Sequence, residues 1–459
     1  MSWNLKEIYK DLDKKFKHKE NIKFQKISID SRKIGINDFF IPIVGKSYDG
    51  HDFISDVSDY GIKACLVENK KKFQVKNSPI HKIFVRNTQK SLEQLATYAR
   101  QKNKNLQMIC ITGSSGKTSL KEWVGKVLKE RVNAYVNPGN YNNEIGMPLS
   151  LVNMPTETEV CILELGMNRK GEIKKLTKIA SPTISIVTNI GLAHIGNFNE
   201  LKDIAKEKAS IYKYLNKKSF ALIPNDSPYS EILIEKASCK TQNIISFGKK
   251  ETSNSNFSKI KENKFIFKIL GKKISLEKKN YFKHWEENAL IILIILKILK
   301  FDFVDFKKRI ENLKPLDGRG KKIRIFKGNK KFFFIDETYN SSPHTLEHAI
   351  LNANRILKNN QKLVLVIGDM LELGNFSKQL HLKILEIVKK VSPKLLITIG
   401  SFSKIITDNA KPNLKAYHFK TYHKVYERLI EEIDDSDIVM IKGSNSINLS
   451  KVCEKLKEK

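Results

Sequence analysis

The stretch "MICITGSSGKTSLKEW" occupies residues 108–123. The general phosphate-binding pattern G-x-x-x-x-G-K-[ST] asks for a glycine five residues before Gly116. That position is Ile111, and the nearest earlier glycine is Gly113. The flanks decide how the stretch reads. An apolar run enters it, and Leu120, Trp123, Val124, Val127 and Leu128 leave it with the spacing of a helix. A strand, a loop of small residues and a helix together aim successive backbone N–H groups and a helix N-terminus at an anion. Glycine at 113 and 116 permits the turn and the close approach of backbone to phosphate. Lys117 can reach the outer phosphates, and the Thr118 hydroxyl can ligate Mg²⁺. A plain strand-to-helix turn would also use Gly and Ser, but it would not require the Lys-Thr that follows. The stretch reads as a shortened phosphate loop, with Gly113, Ser114, Ser115, Gly116, Lys117, Thr118 and Ser119 around a nucleotide.

Downstream, β-like runs alternate with helical patterns, the signature of a largely parallel sheet with helices on both faces. The runs are "LQMICIT", "EVCILEL", "TISIVTN", "SFALIPN" and "IISFG", followed by a Lys-rich part (251–282) expected to add antiparallel strands. A strongly apolar helix, "ENALIILIILKIL", comes next. After "LKPLDGRGK" (313–321) the alternation restarts with "KFFFIDE", "KLVLVIGD", "KLLITIG" and "DIVMIKG", and Ser342-Pro343 reads as an N-cap and first helical position. Upstream, "DFFIPIV", "ACLVE" and "KIFVR" are short strands closed by the helical "SLEQLATYARQ". The expected fold class is α/β in three domains: a small α/β N-terminal domain (1–103), a central, mostly parallel-sheet domain of phosphate-loop ATPase type (104–317), and a C-terminal Rossmann-like α/β domain (318–459).

A 459-residue chain with 41% hydrophobic content suffices for three packed cores. The formal charge of +34 would ordinarily suggest a polyanionic partner. The lysines are scattered through every segment rather than massed in a stripe, so no nucleic-acid partner is expected. Five well-separated cysteines without a C-x-x-C pair indicate neither a disulfide framework nor a zinc site. The charged N-terminus lacks a signal-peptide apolar region, and the run Ala289 to Leu296 is too short to span a bilayer. A cytoplasmic monomer without membrane insertion is the expectation.

A nucleotide site needs metal ligands at the carboxyl ends of neighbouring strands. Glu164 ends the apolar "VCILELG", a costly place for a carboxylate unless it coordinates something. His194 follows "TISIVTNIG" by three residues. Either alone is an ordinary surface residue; as a pair at successive strand ends after a phosphate loop they read as ligands. Lys208 falls on the inner stripe Leu201, Ile204, Ala205, Ile211 and Tyr212. Either it snorkels out at the stripe's edge, or its ammonium is aimed at the active site or has lost its charge by modification.

With these residues stand "DSR" (30–32), "DGHDF" (49–53), "YNNEIGMPLSL" (141–151), "ELGMNRKGEI" (164–173), "IAKEKASIY" (204–212), "HWEENAL" (284–290), "DETYNSSPHT" (336–345) and "GDMLELG" (368–374). Together they resemble the Mur ligase family, the ATP-dependent peptide ligases of cell-wall precursor synthesis, whose phosphate loop has the short form T-G-[ST]-x-G-K-[ST]. The last two stretches resemble the branch that adds D-alanyl-D-alanine to UDP-N-acetylmuramoyl-tripeptide. No D-N-P-R motif of the diaminopimelate-adding branch is present, nor an N-terminal G-x-G-x-x-G.

The resemblance implies that Lys117 and the loop amides hold the ATP phosphates. It implies that Thr118 and Glu164 bind one Mg²⁺, and that His194 and a carbamylated Lys208 help hold a second. Asn288 falls on the adenine side, Arg319 approaches the phosphates, and Asp336, Tyr339 and Asn340 stand beside the nucleotide. Ser31 and Arg32 handle the UDP end of the substrate, while Asn142, Asn143 and Asn168 face the muramoyl-peptide. The implied chemistry is acyl activation: ATP phosphorylates the tripeptide carboxylate, and the dipeptide amine displaces phosphate. Against the family pattern, Arg169 stands where His is common, Ser210 where Glu is frequent, Trp285 where many members have Asn, and Asn445 where Arg is usual. Competing readings are a ligase of the same superfamily with another acceptor, such as a folylpolyglutamate synthetase, and a nucleic-acid-dependent ATPase. A degenerate scaffold would have lost the metal ligands.

Overall fold

Along the strand Gln107–Thr112 successive side chains point to opposite faces, and each face has its own core. Ile109 and Ile111 pack with Leu120, Trp123, Val124, Val127 and Leu128 of the helix Lys117–Leu128, and with the helix Trp285–Ile298. Met108 and Cys110 face the other way, into a cluster that includes Leu163, Ala96 and Ala99. The computed structural model describes residues 2–17, 21–75, 78–279, 284–358, 360–410 and 412–458.

The phosphate-loop strand belongs to a nine-stranded sheet. On one side lie Val160–Glu164 and then Ala134–Val136, both parallel to it. The chain then crosses over to lay Ile184–Val187, Phe220–Pro224 and Ile244–Gly248 on the other side, again parallel. The crossover leaves a crevice at the carboxyl ends of Gln107–Thr112 and Ile184–Val187, where open α/β sheets receive ligands. The Lys-rich segment adds the expected antiparallel strands, Lys264–Ile269 and Lys272–Glu277. A further strand, Ser255–Lys261, joins them to the parallel part.

A second sheet of six strands runs Lys321–Lys327, Lys330–Glu337, Ile438–Lys442, Leu363–Gly368, Leu395–Ile399, Lys415–Phe419, parallel except for its first member. The helix Pro343–Arg355 starts as read, with Ser342 as N-cap and proline in the first turn. Near the N-terminus a parallel four-stranded sheet holds Lys26–Ser28, Asp38–Phe40, Ala64–Glu68 and His81–Val85. Its closing helix, Thr88–Lys102, lies against the central helices Gly146–Val152 and Glu172–Ala180. Arg100 Nε donates to Ala180 O at 3.0 Å, and Asn153 bonds both backbone groups of Ile27.

Every residue from Asn288 to Leu296 is buried, as a helix apolar on all sides must be. Among the described residues no helix is long and apolar enough to cross a membrane. All five cysteines are free, and burial pushes the Cys65 and Cys110 thiols up to about 12.

Phe267 is fully buried between Phe257 and Trp285, with ring centroids at 5.9 and 6.0 Å. Phe267→Ala is expected to lower unfolding free energy by about 3–5 kcal/mol in urea titration; a loss under about 1 kcal/mol would contradict this core. Burial raises the Asp11 carboxyl from 3.8 to about 7. A raised carboxyl favours the folded state while protonated, so its contribution fades as pH climbs from 3.8 through about 7. Thermal unfolding of Asp11→Asn should accordingly differ less between pH 4 and pH 8 than that of the parent; an equal difference would refute the assignment.

Candidate active site

The phosphate loop lies flush on the end of the neighbouring strand. A Cβ added to Gly113, where φ is +152°, would sit 1.9 Å from Thr188 Oγ1, so only glycine fits. Thr188 Oγ1 donates to Ser115 O at 2.7 Å, and Asn189 Oδ1 accepts from Ser115 N at 2.9 Å. Ser114 Oγ donates to Gly191 O and accepts from Gly191 N. Gly116, at φ +80°, turns the chain into the helix that opens with Lys117. Thr188 and Asn189 were not singled out from sequence; their only signal is polarity directly after an apolar strand.

Beyond the loop opens a cleft of ≈ 1200 Å³ lined from both larger sheets. Ser114, Ser115, Gly116, Lys117, Thr118 and Ser119 form one wall, with Glu164 and His194 from the adjoining strand ends. Asn142, Asn143 and Asn168 also line it, as do Asn288, Arg319, Tyr339 and Asn340. Of the residues read from sequence, Gly113, Lys208, Asp336, Ser31 and Arg32 are not on its wall. The Asp336 carboxylate is buried, accepting from Thr338 N and Oγ1 and pairing with Lys457 at 3.1 Å. Arg32 is exposed and grips Asp30 through Nε and Nη2.

Glu164 is almost fully buried and held at both oxygens. Thr118 Oγ1 donates to Oε2 at 2.5 Å, and Asn142 Nδ2 donates to Oε1 at 2.7 Å. The loop carrying Asn142 is set by Lys121, another residue the sequence did not flag. Its wholly buried ammonium donates to Asn137 O at 2.7 Å and Gly139 O at 3.0 Å. Asn137 in turn accepts from Glu164 N.

Lys117 Nζ donates to the loop's own Gly113 O at 2.8 Å. Burial holds its pKa below the usual lysine range; Glu164 opposes that shift and Arg319 adds to it. Arg319 stacks on Tyr339, 3.7 Å from guanidinium carbon to ring centroid. Lys442 is buried on the same wall and donates to Asn340 O at 2.8 Å. Lys208 is 1% exposed, on the inner face as its spacing predicts. Burial drives its pKa well below the lysine range, and the charge of Lys117 pushes the same way. Its neighbour Glu207 gives both oxygens to the N–H groups of Gly171 and Ile173.

The oxygen donors fit Mg²⁺, which takes one or two protein oxygens and completes its shell with phosphates and water. Thr118 and Glu164 bring two hard oxygens together beside the phosphate loop. His194 Nδ1 is buried without an aligned hydrogen bond, 2.5 Å from Glu372 Oε2. Among the described residues no three His, Cys, Asp or Glu side chains converge as a metal site of their own.

A phosphate loop, a carboxylate beside its threonine, and cations from a second sheet facing them across one cleft define an enzyme that uses a nucleoside triphosphate to activate a bound substrate. Family models agree along the chain: the Mur ligase family catalytic domain at residues 23–103, the Mur ligase middle domain at 111–296, and the Mur ligase glutamate ligase domain at 323–445. The chain is 30% identical to the UDP-N-acetylmuramoyl-tripeptide–D-alanyl-D-alanine ligase of Rickettsia prowazekii, over 99% of each. It is 27% identical to that of Bacillus subtilis, over 94% of this chain and 93% of the other. A crystal structure of MurF from Acinetobacter baumannii superposes with TM-score 0.86 at 25% identity, covering 100% of this chain and 99% of that one. MurF ligase from Thermotoga maritima in complex with ADP gives 0.77 at 26% identity, covering 94% and 96%. The chain belongs to the Mur ligase family and is an ATP-dependent ligase.

Gly113→Ala should weaken ADP binding by about tenfold or more, since the added methyl must push the loop off Thr188. Isothermal titration checks this, and an unchanged affinity would mean that the loop does not meet the phosphates.

Proposed function

We propose that this ligase joins the amine of D-alanyl-D-alanine to the terminal carboxylate of UDP-N-acetylmuramoyl-tripeptide, forming ADP, phosphate and the UDP-linked pentapeptide of peptidoglycan synthesis. The observation that carries the reading is end-to-end similarity to ligases named for this reaction, 30% identical over 99% of the chain in one case. The carboxylate attacks the γ-phosphorus and ADP leaves, giving an acyl phosphate. The amine then attacks the carbonyl carbon, loses a proton and expels phosphate.

The physical demand is to bring a carboxylate onto a triphosphate, anion to anion. Lys117, the N–H groups of the phosphate loop and Arg319 hold the phosphates and offset their charge. Asn288 takes the adenine side, with Tyr339 and Asn340 beside the nucleotide. Asp336, engaged by Thr338 and Lys457, acts behind them by fixing the strand end from which they project. Thr118 and Glu164 would hold one Mg²⁺, and His194 with Lys208 a second. When bound, these ions supply further positive charge at the phosphate oxygens. Asn142, Asn143 and Asn168 face the peptide, and Ser31 and Arg32 the UDP end. The chain acts as a monomer in three domains, 1–103, 104–317 and 318–459.

Lys208 fits the role as a carbamate. Burial that lowers the lysine's pKa favours its unprotonated amine, whose nitrogen can add CO₂ and lose a proton to leave an anionic carbamate. A buried amine thereby becomes a carbamate whose oxygens could bind a metal ion. Lys208→Ala should lose most activity and regain part of it with a small added carboxylic acid. A ¹³C-bicarbonate carbamate signal should be present in the parent and missing in the variant; a parent without the signal would refute carbamylation.

The reading itself is tested by phosphate release and product mass with UDP-muramoyl-tripeptide, with and without D-Ala-D-Ala. Pentapeptide formation requiring both substrates, abolished by EDTA and reduced by about 10²–10³ in Lys117→Ala, is the expected result. Tight ATP binding with no pentapeptide would point to another acceptor.

A further inference from the structure

The cleft carries carboxylates that neither the phosphate loop nor the metal reading uses. Glu144 pairs with Lys175, Glu337 with Lys442, and Glu287 with His284. Glu172 accepts from the N–H groups of Asn168 and Arg169, and Asp226 from Lys249 N. Glu372 differs: among the described residues its carboxylate touches only His194, and it is 47% exposed into the cleft.

Its placement is specified by backbone. Glu372 is held at φ +62°, a left-handed conformation that costs a non-glycine residue about 1 kcal/mol or more. Gly196 N donates to Glu372 O at 2.9 Å. A Cβ on Gly196 would lie 2.4 Å from Gly374 N, so the two chain segments meet backbone to backbone. The contact carries Glu372, from the second sheet's side, to the phosphate end of the cleft, close enough to Lys117 for their charges to interact.

Of the three substrates in the proposed reaction, ATP and the UDP-linked peptide arrive as anions. The acceptor is a zwitterion, and its α-amine, the group that must reach the phosphate end of the cleft, has a pKa near about 8 and is mostly ammonium at neutral pH. That ammonium must enter a cleft walled by Lys117, Arg319 and Lys442, which repel it. We propose that Glu372 binds the ammonium of the acceptor dipeptide and holds it beside the phosphate end of the cleft, an inference that rests on the acceptor chemistry proposed above. His194, its ion-pair partner here, would be free for the metal-holding role proposed above once the ammonium takes its place on the carboxylate.

The test is steady-state kinetics of Glu372→Gln and Glu372→Asp, varying each of the three substrates in turn. A charge-assisted hydrogen bond predicts a rise of about tenfold or more in the dipeptide KM of Glu372→Gln. The KM values for ATP and UDP-tripeptide should stay within about twofold, and Glu372→Asp should recover part of the loss. A dipeptide analogue with hydroxyl in place of the amine should inhibit the parent and Glu372→Gln equally. An unchanged dipeptide KM overturns the proposal, as does an equal rise in the ATP KM, which would make Glu372 a structural contact of His194. If the parent ligates another amine instead of D-Ala-D-Ala, the acceptor reading fails, and the same measurements on that amine decide Glu372. If the parent ligates no amine, both fail.

Discussion

Cations must be kept in this cleft without being neutralised in advance. Three lysines at or behind the cleft, Lys121 and Lys442 buried and Lys117 partly so, are held by main-chain carbonyls. Lys117 donates to Gly113 O, Lys121 to Asn137 O and Gly139 O, and Lys442 to Asn340 O. A main-chain carbonyl satisfies an ammonium's hydrogen bond while leaving its charge largely intact. Lys121 also pairs with Glu122 at 3.1 Å and Lys442 with Glu337 at 3.4 Å, whereas Lys117, on the phosphate loop, makes no ion pair among the described residues. Burying a charge on these terms is expensive, and the cost falls on the large apolar clusters on both faces of the central sheet. The depressed pKa values of Lys117 and Lys442 are the visible sign of that tension.

The same lysines tie the loops together. Lys121 fixes the segment that sets Asn142 on Glu164, and Glu164 receives the Thr118 hydroxyl from the phosphate-loop helix. Lys442 holds the segment carrying Tyr339 and Asn340, and Tyr339 supports the Arg319 guanidinium. Two chains of contacts thus begin on buried ammonium groups and end on residues of the cleft wall.

The sequence displayed the fold wherever periodicity was strong. The interior strands stand out as nearly unbroken apolar runs because each has two buried faces, and the helix Trp285–Ile298 announces its burial by being apolar throughout. The edges were not legible. Ala134–Val136 is too short to show a period, Lys321–Lys327 hides its strand pattern under lysines, and Lys415–Phe419 is half-exposed. At the site, residues near the phosphate loop in sequence were readable because strand, loop and helix constrain one another locally. Thr188, Asn189, Lys121 and Glu372 were not, since each acts on a partner that only the tertiary fold brings near. Asp336 shows the converse: the motif around it is recognisable, yet its carboxylate turns inward to Thr338 and Lys457.

The helix Trp285–Ile298 has a consequence outside catalysis. Its first turn puts Asn288 on the cleft wall, at the proposed adenine side, and the rest of it fills the core beneath the sheet. Binding there is linked to folding, because a ligand taken up only by the native chain adds RT ln(1 + [L]/Kd) to its stability. Nucleotide bound there therefore stabilises the native chain against unfolding, and with it against proteolysis of the unfolded form, by a route separate from its part in the reaction.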